Sequence, residues 1–188
     1  MSNDGSVLYL ADGQRIRMVN TRKRVINSFV GSSAAADPEK SKPTIFEGGS
    51  GPSSSWQLSG EAVVLQWPTD LDVNPVDDTL TVLDEGTLLK VSRGGAVFPI
   101  NPQLHCSDCG DHDMVPDYLI GISYSPDGLL QAAAAAAGKS STATNVWTID
   151  TSSGKSSLLV KFDGVASDLL VLNSEEVLFW YGDDGTKQ

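Results

Sequence analysis

The sequence predicts an all-β fold in which a unit of four short antiparallel strands is repeated along the 188-residue chain. Three observations support this prediction. Apolar residues occur in short runs separated by Gly, Pro, Asn, Asp and basic residues, which is typical of strands joined by tight turns. Segments in different parts of the chain align with one another. Each complete unit spans roughly 40 residues and offers four strands of about 5, which matches one blade of a β-propeller.

The first unit, residues 6–31, has three apolar runs separated by Asp12-Gly13 and by a basic turn. This pattern predicts three strands joined by hairpins. The basic residues of this region are Arg15, Arg17, Arg22, Lys23 and Arg24. We interpret them as protection of an exposed strand edge, and contact with an anion or a partner is the alternative.

The second unit, residues 63–104, follows a segment rich in Ser, Gly, Ala and Pro at 32–62 that we predict to be a long loop or insertion. Within the unit, the innermost strand is predicted at 69–73, the second at 79–84, the third at 87–92 and the outer strand at 96–100. Asp84 lies where the second strand turns into the third, and Asp12 aligns with it. A short carboxylate at this point accepts backbone N–H groups in an Asx-type turn, so both are predicted to be structural turn residues.

The third unit, residues 117–164, follows a predicted loop at 105–116, and two strands of a partial fourth blade are predicted within 165–188. Six alanines at 132–137 fall where the second strand of the third unit is expected. Sheet context predicts a strand there, but a weak and poorly packed one, because alanine favours helices. The chain thus supplies about three and a half blades, fewer than the ~4 to 8 of a closed propeller, so we predict an incomplete propeller and a fragment of a longer protein.

Composition excludes some classes of function. The net charge of −11, with 24 acidic against 13 basic residues, argues against a nucleic-acid partner, which would require clustered Lys and Arg. No run of ~18 uncharged apolar residues is present, so a membrane would be reached only through a longer parent chain.

Residues 105–113 contain both cysteines, Cys106 and Cys109, and both histidines. Zinc is disfavoured because structural zinc sites bring two ligand pairs together across an intervening element. Calcium is disfavoured because the twelve-residue loop pattern is absent. We predict no metal and no cofactor. The two thiols form a disulfide with each other, or either pairs with a cysteine beyond this chain, or both stay reduced, according to the compartment.

An enzyme is the alternative from another class. Some propellers hold a metal in the central channel and catalyse lactone hydrolysis or lyase reactions with ligands from several inner strands. The predicted inner strands here offer only Asp70, Asp72, Gly121, Ser123 and Asp168. These are too few convergent ligands, and no Gly-x-Ser-x-Gly motif occurs, so catalysis is not predicted. An intracellular protein-binding propeller with reduced thiols is a further alternative.

Two segments carry a family resemblance. Residues 7–19, "VLYLADGQRIRMV", resemble an NHL repeat, and the run that begins with Trp67, Pro68, Thr69, Asp70 and Leu71 is similar to a blade of the teneurins, as is the His-Cys pair that ends "LHC" at 104–106. The resemblance implies an NHL-type β-propeller.

The function that this resemblance implies is non-catalytic protein recognition by a cell-surface adhesion protein, in cell–cell adhesion and signalling that is neuronal in the family. The implied partners are a second teneurin-like molecule, in homophilic contact, or a latrophilin-like adhesion receptor. The implied location is the extracellular face of the plasma membrane, within a longer single-pass protein. Contact residues in the family follow no short motif, so none is predicted here.

Overall fold

The computed structural model describes residues 1–31, 58–102, 104, 118–135, 143–164, 166–173 and 176–181. The chain divides into two compact units, Met1–Asn101 and Pro102–Gln188. The described residues contain fourteen strands and one short 3-10 turn, Gly60–Ala62. The strands are β1 Val7–Ala11, β2 Ile16–Asn20, β3 Val25–Val30, β4 Leu58–Ser59, β5 Pro68–Val73, β6 Leu80–Asp84, β7 Thr87–Val91, β8 Ala96–Ile100, β9 Tyr118–Tyr124, β10 Leu130–Ala135, β11 Ala143–Ile149, β12 Ser156–Asp163, β13 Ala166–Val171 and β14 Val177–Tyr181.

The first unit contains two antiparallel sheets. β1, β2 and β3 pair in that order, and the second sheet has the order β4-β8-β7-β6-β5. The three strands predicted within 6–31 and the four predicted within 69–100 are therefore confirmed. The β6–β7 hairpin has a two-residue turn, Glu85-Gly86, in which both residues have positive φ, at 45° and 81°. This conformation belongs to the hairpin turn whose twist matches that of the strands.

One short strand comes from the segment predicted as an insertion. Leu58 pairs with Val97 and Ser59 with Ala96, so β4 adds to the outer edge of β8. An edge strand presents unpaired backbone N–H and C=O groups, and β4 satisfies part of this edge. Residues 32–57, the rest of that predicted insertion, lie outside the described residues.

The core of the first unit lies between its two sheets. Side chains from β1, β2 and β3 pack with side chains from β5 to β8 and from the segment before β5. The buried members of the cluster are Tyr9, Ile16, Val30, Val63, Leu65, Val73, Leu80, Val82, Leu89, Val91 and Val97. Because side chains alternate along each strand, one face of each sheet is buried against the other sheet, as expected for two packed layers.

The second unit contains a four-stranded sheet, β12-β11-β10-β9, and a two-stranded sheet, β13-β14. The described part of the alanine run, Ala132–Ala135, lies in β10 as predicted, but the expectation of poor packing is wrong. β10 lies between β9 and β11, and Ala132, Ala133 and Ala134 are all fully buried. Ala132 is directly opposite the fully buried Trp147, so a small side chain faces a large one.

Small residues also allow the two sheets of the second unit to approach closely. Gly121 of β9 is directly opposite Ala133 of β10. A Cβ atom at Gly121 would lie 3.2 Å from the backbone N of Leu169 in β13. Close packing of this kind makes even one additional methyl group costly.

Some predictions fall beyond the described part of the chain. The predicted loop at 105–116, with Cys106 and Cys109, lies outside it, as do residues 182–188 of the predicted partial blade. The predicted boundaries of the blades stay predictions. Within the described residues, no helix has the length and apolar character that crossing a membrane would require.

Candidate functional site

The family-motif residues lie where the chain enters β5. Trp67 immediately precedes this strand, and its side chain is 65% exposed. Gln66 and Glu85 are also exposed, and the backbone N–H of Glu85 donates to the carbonyl oxygen of Trp67 at 3.3 Å. We refer to Gln66, Trp67 and Glu85 as the Trp67 surface. It is an exposed aromatic side chain on a backbone tied to a tight hairpin.

Asp84 holds the backbone beneath this surface. Its Oδ1 accepts a hydrogen bond from the N–H of Trp67 at 2.6 Å, and its Oδ2 accepts one from the N–H of Gln66 at 2.9 Å. These donors precede Asp84 by 17 and 18 residues, so the carboxylate joins the end of β6 to the start of β5. Asp84 therefore accepts its hydrogen bonds from residues distant in sequence and not within the local Asx-type turn expected from the sequence. Its role as a structural residue stays a prediction.

The Asp84 carboxyl is half-buried, and this sets its electrostatics. Burial raises the pKa of Asp84 above its ordinary value, while the N–H groups of Gln66 and Trp67 act in the opposite direction by stabilising the charged form. The carboxylate therefore carries an unfavourable desolvation cost that its two backbone donors offset in part.

Asp12, which aligns with Asp84 in the sequence, has different partners. Its Oδ2 accepts a hydrogen bond from Arg17 Nε at 2.9 Å, and its backbone N–H donates to the carbonyl oxygen of Arg15. The difference follows from the sheet. In the described sheet β1 is an edge strand, so Asp12 has no counterpart of Gln66 and Trp67, which lie just before β5 and donate to Asp84. The structural-turn role assigned to Asp12 stays a prediction.

The other motif residues fix the first inner strand. Pro68 is buried and begins β5, and Leu71 packs against the core of the first unit. The hydroxyl of Thr69 donates to the carbonyl oxygen of Leu83 at 3.3 Å. Asp70 Oδ1 accepts a hydrogen bond from the N–H of Leu71 at 2.7 Å. The motif thus serves strand geometry, and Trp67 is its one strongly exposed apolar side chain.

A charged network that the sequence analysis missed lies around the β5–β6 turn. Asp78 pairs with Arg93 and accepts a hydrogen bond from the N–H of Asn3 at 2.8 Å. Asp77 Oδ2 lies 3.7 Å from Lys90 Nζ. The Asp-Asp pair was visible as a turn signal, but its cationic partners lie 13 and 15 residues further along the chain, at Lys90 of β7 and Arg93 of the β7–β8 turn.

The pKa of Asp77 reflects the balance of this network. Burial raises it, but the hydroxyl and N–H of Thr79 both donate to Asp77, and the charge of Lys90 adds to their effect. Together these interactions hold the pKa of Asp77 below its ordinary value. The turn is therefore stabilised as a charged structure at neutral pH.

The residues considered as ligands of an enzyme site are already engaged with the backbone. Asp72 Oδ1 accepts a hydrogen bond from the N–H of Val73 at 2.8 Å, as Asp70 does from Leu71. In the second unit, Ser123 Oγ accepts one from the N–H of Val171 at 3.2 Å, and Asp168 Oδ1 accepts one from that of Leu169 at 2.7 Å. Among the described residues, no group of three His, Cys, Asp or Glu side chains could hold a metal ion.

Comparisons with known proteins agree with the family resemblance of the motif. The family profile described as Teneurin NHL domain matches residues 1–159. Teneurin-m of Drosophila melanogaster is 35% identical over 105 residues, which cover 54% of this chain and 3% of that protein. Human Teneurin-1 is 32% identical over 133 residues, 65% of this chain and 4% of that protein. Mouse Teneurin-4 is 32% identical over 108 residues, 56% and 4% respectively. The chain therefore spans only a few per cent of the length of these curated relatives.

Among solved structures, the extracellular domain of a one-component system from B. thetaiotaomicron superimposes with a TM-score of 0.44 at 8% identity, covering 94% of this chain and 25% of that one. A likeness of this size carries no argument about function. The NHL domain is a β-propeller, and the described strands form antiparallel sheets only, so the predicted all-β NHL-type propeller is confirmed. The number of blades stays a prediction.

Proposed function

Because the chain belongs to the Teneurin NHL domain family, we propose that it is a non-catalytic protein-recognition module of a teneurin-like cell-surface adhesion protein. The module would act in cell–cell adhesion and signalling. Its position would be the extracellular face of the plasma membrane, as part of a longer single-pass protein.

The observation that carries this proposal is the exposure of Trp67 on a fixed backbone. A tryptophan that is 65% exposed leaves a large apolar ring in water. Such side chains are enriched among the residues that dominate the energy of protein–protein contacts. The Asp84 carboxylate and the β6–β7 hairpin hold its backbone in place. Binding through a side chain on a rigid scaffold costs less conformational entropy than binding through a mobile loop.

The non-catalytic part of the proposal is supported by the state of the acidic side chains on the inner strands. Asp70 and Asp72 each accept a hydrogen bond from the next residue's N–H group. A metal-dependent lactonase or lyase would need such carboxylates to converge on one ion. Their engagement with their own strand favours a structural role.

The proposed partners are proteins. One is a second teneurin-like propeller in homophilic contact, and the other is a latrophilin-like adhesion receptor. An aromatic side chain bordered by polar Gln66 and acidic Glu85 suits a protein surface that offers an apolar pocket with a polar, partly basic rim. No nucleic acid is proposed, since the chain carries a net charge of −11.

Binding of the 188-residue chain to the ectodomain of a latrophilin-like receptor, and separately to the NHL propeller of Teneurin-1, tests the proposal. The Trp67→Ala variant is compared with Val76→Ala, since Val76 is 67% exposed and lies on the β5–β6 turn, away from the Trp67 surface. We expect Trp67→Ala to weaken binding by about tenfold or more, the effect of a truncated hot spot, and Val76→Ala to leave it unchanged.

Two results would overturn the proposal. One is that neither protein binds a chain shown to be folded. The other is that Trp67→Ala and Val76→Ala bind equally well. Turnover of a lactone or of a lyase substrate by the purified chain would favour the enzymatic alternative instead.

A further inference from the structure

The β6–β7 hairpin lies in an acidic stretch of the chain. Residues 62–89 contain no Lys, Arg or His, and they contain acidic residues at positions 70, 72, 77, 78, 84 and 85. The two on β5 accept backbone N–H groups, the two on the β5–β6 turn pair with a lysine and an arginine, and Asp84 accepts two backbone N–H groups. Glu85 is exposed, and no Lys or Arg of the described residues forms a salt bridge with it. Its charge is therefore open to a cation from another molecule.

The corresponding hairpin of the first sheet supplies its own cation. After β1, the carboxylate of Asp12 pairs with Arg17 Nε at 2.9 Å. In the sequence alignment that places Asp12 over Asp84, the position of Arg17 is taken by the fully buried Leu89. The glycine after Asp12 is replaced by Glu85 in the same alignment. The β6–β7 hairpin thus has one more acid and one less cation than the β1–β2 hairpin.

An exposed indole next to a carboxylate is suited to a flat cation. The face of an indole ring is electron-rich and attracts a cation within about 6 Å of the ring centre. The backbones of Trp67 and Glu85 are joined by a 3.3 Å hydrogen bond, so a cation on the indole lies within reach of the flexible Glu85 side chain. A guanidinium is planar and weakly hydrated, so it stacks on an aromatic ring while its N–H groups still donate to a carboxylate. A lysine ammonium is more strongly hydrated and does not stack.

We propose that the Trp67 surface binds an arginine side chain of the protein partner. The guanidinium lies flat on the indole of Trp67, and its N–H groups donate to the carboxylate of Glu85. The side-chain oxygen of Gln66, the third residue of this surface, is a further acceptor. Asp84 holds the backbone of Gln66 and Trp67 from below, so the site is fixed before the partner arrives. This inference rests on the proposed recognition function and names the group that the partner must offer.

Titration with small probes tests the inference without the partner. The probes are Nα-acetylarginine methylamide, the lysine analogue, and the citrulline analogue, which has nearly the shape of arginine but no charge. The signal is the NMR shift of the Trp67 indole N–H in the ¹⁵N-labelled chain, which has four tryptophans; the Trp67→Phe variant identifies it. At equal concentration we expect the arginine probe to shift it about threefold more than the citrulline probe, the effect of one exposed cation–π contact. The lysine probe should fall between them, and Glu85→Gln should reduce the arginine shift.

Matched variants test the same contact with the whole partner. Binding to the latrophilin-like ectodomain and to the Teneurin-1 propeller is measured for each. Glu85→Gln should weaken binding by about threefold, the effect of one exposed ion pair. Glu176→Gln makes the same change at an exposed residue of the other compact unit and should leave binding unchanged. Trp67→Phe keeps an aromatic face and should lose less affinity than Trp67→Leu, which keeps an apolar side chain without one. Melting temperatures verify that each variant is folded.

The two experiments separate this inference from the function on which it rests. A larger shift with the arginine probe, together with weaker partner binding in Glu85→Gln but not in Glu176→Gln, supports the arginine contact. Equal shifts with the arginine and citrulline probes overturn it, as does a larger shift with the lysine probe. Partner binding that Trp67→Leu retains as well as Trp67→Phe, and that Glu85→Gln leaves unchanged, also overturns it; the indole then fills an apolar pocket and the recognition function stands. If neither protein binds, the recognition function fails, and the probe titration still decides whether the surface prefers arginine.

Discussion

The carboxylate of Asp84 accepts a 2.6 Å hydrogen bond from the backbone N–H of Trp67, so the residue that ends β6 positions the residue that precedes β5. This one side chain links a hairpin turn to the start of an inner strand and holds the backbone that carries the exposed indole. The stability of the first unit and the geometry of the Trp67 surface therefore depend on the same contact.

Replacing Asp84 with Ala should destabilise the fold. The N–H groups of Gln66 and Trp67 would lose their acceptor, and leaving such donors unpaired costs about 2 kcal/mol. The Asp84→Asn variant keeps an oxygen acceptor and should lose less. Urea unfolding of the three proteins measures the difference. Because one contact serves both folding and the Trp67 surface, Asp84→Ala should leave no functional defect separate from the weaker folding, and lost partner binding at an unchanged melting temperature would contradict this.

The effect of Asp84 should depend on pH with a defined sign. Burial raises its pKa in the folded protein above 3.8, so the folded state holds the proton more tightly than the unfolded state. Its contribution to the free energy of unfolding is therefore greatest below pH 3.8 and is lost as the pH rises through the folded pKa. The Asp84→Asn variant cannot titrate at this position. Its stability relative to the native chain should thus increase across this interval and then level off, and an unchanged difference would contradict the raised pKa.

Asp4 should show the opposite sign. Its carboxylate accepts hydrogen bonds from the Ser6 hydroxyl at 2.7 Å, from the Ser6 N–H and from the Ser2 hydroxyl. These bonds, with the Ser6 hydroxyl first, lower the pKa of Asp4 to about 2. Its stabilising contribution is present above pH 3.8 and lost as the pH falls through about 2. The Asp4→Asn variant should therefore differ from the native chain in acid unfolding over this interval and should lose that difference at the lowest pH.

Gly60 should tolerate no side chain. A Cβ atom there would lie 2.7 Å from the carbonyl oxygen of Phe29 and 2.8 Å from that of Gly95. Both are backbone atoms, so they cannot move aside as a flexible side chain does. Gly60 also donates its N–H to Gly95 and accepts one from Gly31, which ties β3 to the β7–β8 turn.

We expect Gly60→Ala to cost on the order of 2 kcal/mol of unfolding free energy, as overpacking usually does. Gly94→Ala is the matched control, because the nearest atom to its Cβ would be Ser92 Oγ at 3.9 Å. That variant should stay within about 0.5 kcal/mol of the native chain. Equal stabilities in thermal and urea unfolding would contradict the close approach at Gly60.

The alanine-rich strand β10 shows what a sequence pattern can and cannot predict. Alanine favours helices, and the run at 132–137 has no alternation of polar and apolar residues to mark a face. Its position in the repeat nevertheless predicted a strand, and β10 is one. Its tight packing was not predictable, because it depends on Trp147 of β11 and Gly121 of β9, which lie opposite it only in the folded sheet.

The pair Asp12 and Asp84 makes the same point for the site. Sequence alignment of the first two units places them at equivalent positions, and both lie at the end of a strand before a hairpin turn. Their roles diverge because Asp84 has the inner strand β5 beside it, whereas Asp12 directly follows β1, an edge strand of the described sheet, and pairs with Arg17. The neighbouring strand, which a local pattern does not contain, decides the function of the carboxylate.

By itself, the sequence determined the all-β class, the positions of the strands and their hairpin turns, and the family, because these follow from local alternation, turn residues and short motifs. Only the tertiary structure decided that Asp84 holds Trp67, that β4 pairs with β8, and that Leu8, Leu10, Leu170 and Leu178 remain in water. The physical reason is that each of these outcomes depends on groups distant in sequence. Burial and hydrogen-bond partners are set when whole sheets pack, not within one strand.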